Sequence, residues 1–241
     1  MRYAILADIH GNLAAFQAVL RDVEERGGAE ELWCLGDIVG YGPDPGECIA
    51  LLRQLPHLCV AGNHDWAAIG RVDISDFNPD AAQACRWTAT QLTPEDVRYL
   101  ENLPLTLSRD DFTIVHGSPR EPIWEYVLST QSARANFGYF ETRFCLIGHS
   151  HVPMVFEHIG ETCLLDELAT ELKLRENRLI INPGGVGQPR DGDPRAAYAI
   201  YDDRDKTIYH YRVAYDIEAT QERMVMRGLP NFLVMRLNYG L

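Results

Sequence analysis

The stretch Tyr3-Ala4-Ile5-Leu6-Ala7-Asp8-Ile9-His10-Gly11-Asn12 decides how the rest of the chain is read. Residues 3–7 form an unbroken apolar run, the mark of a buried strand. The run stops at a carboxylate, with an imidazole two residues further on. Asn12 then offers an N-cap, and Leu13, Phe16, Val19, Leu20 and Val23 recur at helical spacing until Gly27-Gly28 end the helix. A second strand over 31–35 runs into a Gly- and Pro-rich loop from Gly36 to Gly46. A helix near 46–54 and a strand near 58–61 follow. The order β-loop-α-β-loop-α-β predicts an α/β fold, a sheet covered by helices.

Further along, segments 79–92 and 94–101 read as helices, the second opened by Thr93-Pro94-Glu95, an N-cap followed by Pro at the first helical position. Residues 111–115 and 143–147 read as strands. Between them, 120–142 reads as a mixed loop and helix carrying Trp124, Tyr126 and Phe137. The pattern then becomes mainly strands, at 152–159, 162–167, 178–182, 196–202 and 206–213, with a helix at 216–227. No repeat or linker divides the 241 residues, so one two-sheet domain over 1–241 is expected, with cap-like insertions at 66–110 and 120–142.

The charge is −13, from 22 basic and 35 acidic residues. Such a surface repels phosphate backbones at long range and argues against a dedicated duplex nucleic-acid binder. It does not bar a phosphate-bearing substrate, because bound cations reverse the local sign of a site. Cys34, Cys48, Cys59, Cys85, Cys145 and Cys163 include no C-x-x-C pair and read as reduced thiols of a cytoplasmic protein. No apolar run approaches the roughly 20 residues that span a bilayer, and no signal peptide is expected.

Five segments repeat one design, a strand ending in a turn that carries metal-binding side chains. They are Asp8-Ile9-His10, Gly36-Asp37-Ile38-Val39-Gly40, Gly62-Asn63-His64-Asp65, Val115-His116-Gly117 and Gly148-His149-Ser150-His151. In open α/β sheets, ligands gather outside the carboxyl ends of strands, so five such turns can share one pocket. Carboxylate, imidazole and amide oxygen together suit divalent Mn, Fe, Co, Ni or Zn, and the lack of thiolate argues against a structural zinc site. Each segment alone is commonplace: a Gly-Asp is usually a turn, and an Asp-x-His is often a hydrogen-bonded pair. All five in one order are not.

In that order, D-x-H, G-D-x-x-G, G-N-H-D, H-G and G-H-S-H, the chain resembles the calcineurin-like metallophosphoesterase superfamily over residues 8–151. Residues 182–202 (NPGGVGQPRDGDPRAAYAIYD) are similar to a late segment of its small bacterial and archaeal phosphodiesterase-like branch, where a Ser often stands at the position of Gly185. The resemblance implies two stacked mixed β-sheets flanked by helices, a four-layer α/β/β/α sandwich. It implies that Asp8, His10, Asp37 and His151 hold one divalent ion and Asp37, Asn63, His116 and His149 the other, Mn or Fe being favoured. It makes His64 the acid beside the scissile phosphate, oriented by Asp65. The implied activity is hydrolysis of small phosphate esters, as a phosphodiesterase or broad phosphatase, by in-line attack of a metal-bridging hydroxide. Proton donation to the leaving oxygen is a step worth roughly 10²–10⁴ in rate.

Two other readings stay open from sequence. One is a catalytically inactive scaffold, such as the retromer subunit with this fold; here His64 and every expected ligand are present. The other is a nuclease of the same superfamily, against which the acidic charge speaks. Protein phosphatases and related diadenosine tetraphosphatases carry G-D-x-V-D-R-G and G-N-H-E, whereas this chain has Gly40 and Asp65 at those places. Arg120 reads either as a phosphate contact or as a surface salt bridge, Arg190 and Arg195 are candidates for substrate contact, and Trp66 either walls the pocket or packs in the core. His57, His158 and His210 read as structural, and Asp110-Asp111 and Asp202-Asp203 as hairpin turns. The chain is compatible with a homo-oligomer.

Overall fold

A computed structural model describes residues 1–241. The opening run is strand β1 (Arg2–Leu6), buried on both faces from Tyr3 onward, which is why it lacks polar alternation. Chain order then gives α1 (Leu13–Glu25), β2 (Glu31–Cys34), α2 (Pro45–Leu52), β3 (His57–Cys59), α3 (Asn63–Ala68), α4 (Pro79–Gln91), α5 (Pro94–Glu101), β4 (Thr106–Arg109) and β5 (Phe112–Val115). It continues with α6 (Thr130–Asn136), β6 (Phe144–Leu146), β7 (Met154–Ile159), β8 (Thr162–Glu167), β9 (Glu171–Lys173), β10 (Arg178–Asn182), β11 (Ala196–Asp202), β12 (Thr207–Val213), α7 (Ile217–Met226) and α8 (Asn231–Arg236). The caps expected from sequence form: Asn12 Oδ1 accepts the Ala15 N–H at 3.1 Å, and Thr93 and Asp96 close a capping box ahead of Pro94.

The strands build two mixed six-stranded sheets, in the orders β3-β2-β1-β11-β12-β9 and β4-β5-β6-β10-β7-β8. Strands β1, β2 and β3 run parallel in the first sheet, and β5, β6 and β10 in the second. The sheets share one apolar layer, in which Ile5, Trp33 and Tyr201 of the first meet Phe112, Leu146 and Ile181 of the second. On the outer face of the first sheet, Ala4, Leu6 and Tyr198 pack on Phe16 and Val19 of α1 and Ile49 of α2. On the outer face of the second, Cys145, Phe156 and Ile180 pack on Ala133 of α6 and on Phe137. This is the four-layer α/β/β/α sandwich.

Four elements fall outside the expected set, for identifiable reasons. Strands β4 and β9 are sheet edges whose mostly exposed residues show no apolar pattern. Helices α3 and α8 have six residues each, too few for a helical period to register. The hairpins at Asp110-Asp111 and after Asp202 form as expected. All six cysteines are free. No helix is long and apolar enough to cross a membrane.

Trp33 is the largest fully buried side chain. Its ring stacks on Tyr3 at 4.4 Å and meets Phe112 of the opposite sheet edge-on at 5.3 Å. Aromatic truncation in a closed core loses both transfer energy and packing. Trp33→Ala is expected to cost about 3–5 kcal/mol, read as a lower midpoint in equilibrium urea unfolding; a loss below about 1 kcal/mol would show that the inter-sheet layer tolerates a void.

Candidate metal centre

Seven side chains converge where the parallel strands end. Asp8 and His10 follow β1, Asp37 follows β2, Asn63 follows β3, His116 follows β5, and His149 and His151 follow β6. All seven are at most 4% exposed. Five of them, Asp8, His10, Asp37, His149 and His151, have φ between +49° and +66°, the left-handed region. Short polar residues tolerate it better than others, yet it remains a strained choice for any L-residue. The left-handed turns bring Asp8 and His10, and likewise His149 and His151, to bear on one pocket. Gly62 makes the closest approach possible: a Cβ there would lie 2.0 Å from Asp37 Oδ1.

The donors fall into two buried groups, Asp8 with His10 and His151, and Asp37 with His116 and His149. In the first, His10 Nε2 and His151 Nε2 lie 3.1 Å apart, and His151 Nε2 is 3.4 Å from Asp8 Oδ1. In the second, His116 Nε2 is 3.2 Å from His149 Nδ1 and 3.1 Å from Asn63 Oδ1. Asp37 Oδ2 lies between the groups, 3.6 Å from His10 Nε2 and 3.4 Å from His116 Nε2. It is buried and has no hydrogen-bond partner. A carboxylate oxygen left so is costly unless a cation meets it.

Each imidazole is fixed by its other nitrogen. His10 Nδ1 donates to the Val39 carbonyl at 3.0 Å, His116 Nδ1 to Leu35 at 2.8 Å, and His151 Nδ1 to Gln188 at 2.6 Å. His149 is reversed, with Nε2 donating to the Trp124 carbonyl at 3.2 Å. A carbonyl can only accept, so these contacts fix which nitrogen of each ring faces the pocket, and in the neutral ring that nitrogen carries the lone pair. The Asp8 carboxylate accepts the His149 N–H at 3.1 Å, tying the β1 and β6 loops together.

The electrostatics suit cation binding. Burial pushes His10 and His151 well below the ordinary range and His149 down to about 3, so these rings are neutral. Burial opposes the charge on Asp37, but His116, His64 and His10 around it hold its carboxyl far below the carboxylate range. Burial raises Asp8 to about 7, partly offset by His116. For His116, burial lowers the pKa, but Asp37 raises it more, to about 9. A cation entering between Asp37 and His116 competes with that proton.

The remaining expected site residues divide. His64 joins neither group. Its N–H donates to Asp37 Oδ1 at 2.8 Å, and its ring lines the adjoining cavity with Nδ1 unpartnered. Asp65 does not orient that ring. Its oxygens accept the backbone N–H groups of Asp37, Val39 and Gly62 at 2.8, 3.1 and 3.0 Å, which makes it the clasp between the β2 and β3 loops. Arg120 is not turned to the pocket either: it pairs with Glu125, which also binds Ser118 and Asn136. Arg190 stands beside the centre, with its guanidinium 5.7 Å from the Tyr41 ring centre, its Nε unpartnered and Nη2 on Gln188 Oε1. Trp66 is partly buried and packs against the apolar cluster on the outer face of the first sheet.

Tyr41, Phe77 and Gln188 were not singled out in the sequence. Tyr41 is left-handed at φ 55° and packs on His64 and His10; its signal was its place between Gly40 and Gly42. Nothing near Phe77 or Gln188 in sequence marks their position, which depends on distant loops.

Residues 1–206 match the model of the calcineurin-like phosphoesterase superfamily domain. The chain is 46% identical to a metallophosphoesterase from Sphaerobacter thermophilus, whose crystal structure superposes with a TM-score of 0.90 over 100% of this chain and 99% of that one. It is 40% identical to an uncharacterised protein of Methanocaldococcus jannaschii, over 98% of this chain and 97% of the relative. A symmetrical bis(5′-nucleosyl)-tetraphosphatase of Erwinia tasmaniensis is 34% identical over 88 residues, 33% of this chain and 32% of that protein. The chain belongs to the calcineurin-like phosphoesterase superfamily.

Proposed function

We propose that the chain hydrolyses small phosphate esters, as a phosphodiesterase or broad phosphatase, at a centre of two divalent ions. The observation that carries this reading is the unpartnered Asp37 Oδ2, within 3.6 Å of one donor group and 3.4 Å of the other. Two cations about 3.5–4 Å apart repel unless anionic oxygen lies between them. Asp8, His10, Asp37 and His151 would hold one ion, and Asp37, Asn63, His116 and His149 the other. The thiolate-free donor set suits Mn, Fe, Co, Ni or Zn alike, and it is membership of the superfamily that favours Mn or Fe. When bound, the ions supply charge neutralisation for the phosphate and an activated water as nucleophile.

The chain's own residues supply the rest. Arg190 has no carboxylate partner and can engage a phosphate oxygen. His64 stands over the cavity to protonate the departing oxygen. Burial lowers it to about 4, against the pull of Asp37; an arriving phosphate adds negative charge beside the ring and raises it again. Asp65 keeps His64 and Asp37 in register through the backbone. The acidic surface and free thiols support a small-molecule hydrolase of the cytoplasm over a duplex nuclease.

Metal-depleted protein reconstituted with Mn, Fe, Co, Ni or Zn is expected to cleave p-nitrophenyl phosphate, bis-p-nitrophenyl phosphate or both, and to lose that activity on chelation. Inactivity across the whole panel would favour the scaffold reading. Asp37→Ala is expected to lower bound metal below two ions per chain, measured by elemental analysis, and to reduce turnover at least about 10³-fold. His64→Ala should keep its metal and lose roughly 10²–10⁴ in rate on esters with poor leaving groups. Metal loss in that variant with turnover otherwise intact contradicts the assignment.

A further inference from the structure

No hydrogen bond sets the angle of the His64 ring. The residue is tied down through its backbone, whose N–H donates to Asp37 Oδ1, while Nδ1 of the ring is buried without a partner. Asp65 spends both oxygens on backbone amides and cannot orient the imidazole. A reacting group misplaced by about 1 Å can lose roughly 10²-fold in rate, so a proton donor here needs another restraint.

Packing supplies it. The Tyr41 ring centre lies 4.3 Å from that of the imidazole, Phe77 lies at 5.0 Å, and His10 meets the ring edge-on at 5.0 Å. The Gly40 backbone closes on the same ring: a Cβ there would stand 2.7 Å from His64 Nδ1. Phe77 is only partly buried, and His10 is one of the metal-binding donors. Tyr41 is the near neighbour that is both buried and uncommitted to a metal.

Tyr41 cannot retreat from that contact. Its own backbone is left-handed, and the next N–H, of Gly42, donates to the His10 carbonyl at 2.9 Å. Its side chain belongs to an apolar cluster with Ala81 and Ala84 of α4, Met224 of α7, and Leu233, Val234 and Leu237 of α8. The two last helices are tied to each other and to the same loop. Gln221 of α7 donates to the Val234 carbonyl at 2.8 Å, and Arg223 pairs with the buried Asp44, three residues after Tyr41. Both helices lie beyond residues 1–206, the portion that matches the superfamily model.

We propose that Tyr41 is a positioning residue for the proton-donating step: its ring, backed by α7 and α8, holds the His64 imidazole toward the cavity. This rests on the phosphoesterase reading above, and within it on His64 as the acid. Tyr41 moves no proton itself. The proton passes from His64 to the departing oxygen as the phosphorus–oxygen bond breaks, and Tyr41 acts by the shape of its ring. The hydroxyl is dispensable, so phenylalanine can take its place.

The test uses the manganese-loaded protein and compares phenyl with p-nitrophenyl esters of phosphate and of methyl phosphate. Phenolate is the poorer leaving group and needs the proton more. Tyr41→Ala is expected to lower the phenyl to p-nitrophenyl ratio of kcat about 10- to 100-fold, part of the roughly 10²–10⁴ that a general acid supplies, with KM and bound metal little changed. Tyr41→Phe should keep the ratio within about threefold of the wild type. In the His64→Ala background, Tyr41→Ala should lower it no further, as a double-mutant cycle requires of a residue that acts through another. In the crystal structure of Tyr41→Ala, the imidazole is expected to leave its wild-type position. If that variant fails to fold, Tyr41→Leu, which keeps an apolar body against α8 but has no ring, carries the same expectations. An equal loss on both esters, a further loss in the His64→Ala background, or an unmoved imidazole overturns the role of Tyr41. An unchanged ratio in His64→Ala overturns the acid instead, and a protein inactive on every ester overturns the phosphoesterase reading. In both of those cases the position of the imidazole in Tyr41→Ala still decides whether Tyr41 holds the ring.

Discussion

The Asp37 carboxylate is the constraint on which the site depends. Its backbone carbonyl accepts the His10 N–H at 2.9 Å, its own N–H donates to Asp65, and its Oδ1 accepts the His64 N–H. Three of its polar groups thus lock the β1, β2 and β3 loops to one another. Only Oδ2 is left over, buried and facing both donor groups. A single residue, through its backbone and one carboxylate oxygen, joins the loops, and its other oxygen presents the charge that a pair of cations requires. This is why Gly62 matters: any Cβ at that position would displace the carboxylate.

The frame is strained. Five donor residues in left-handed backbone cost about 1 kcal/mol each, a sizeable share of the net stability of a folded domain, typically about 5–15 kcal/mol. Such geometry persists only where the surroundings over-determine it. Here the surroundings are the apolar layer between the sheets and the hydrogen bonds that fix each imidazole from behind. The strain lies at the strand ends, the rigid layer lies between the strands, and the two are continuous along β1, β2, β5 and β6.

The walls of the adjoining cavity belong to a different part of the molecule. The donor loops are anchored directly to the central strands, whereas the cavity walls come from the segment before α4 and the segment before α6. Trp124 and Tyr126 join the two parts because they touch His149 directly. Phe77 adds a second junction through the His64 ring, 5.0 Å away.

The sequence by itself determined the layered α/β architecture and the identity of the donor residues. Buried strands are written in unbroken apolar runs, and a donor after each run is a local pattern that survives in one dimension. Short edge strands such as β4 and β9 carry no such pattern, because exposed backbone pairing places no demand on side chains. Only the tertiary structure decided that Asp65 clasps backbone amides, that Arg120 turns to Glu125 while Arg190 turns to the centre, and that Phe77 meets Trp124. Those outcomes depend on which distant groups arrive within hydrogen-bonding or van der Waals reach, and that is settled by packing rather than by neighbouring residues.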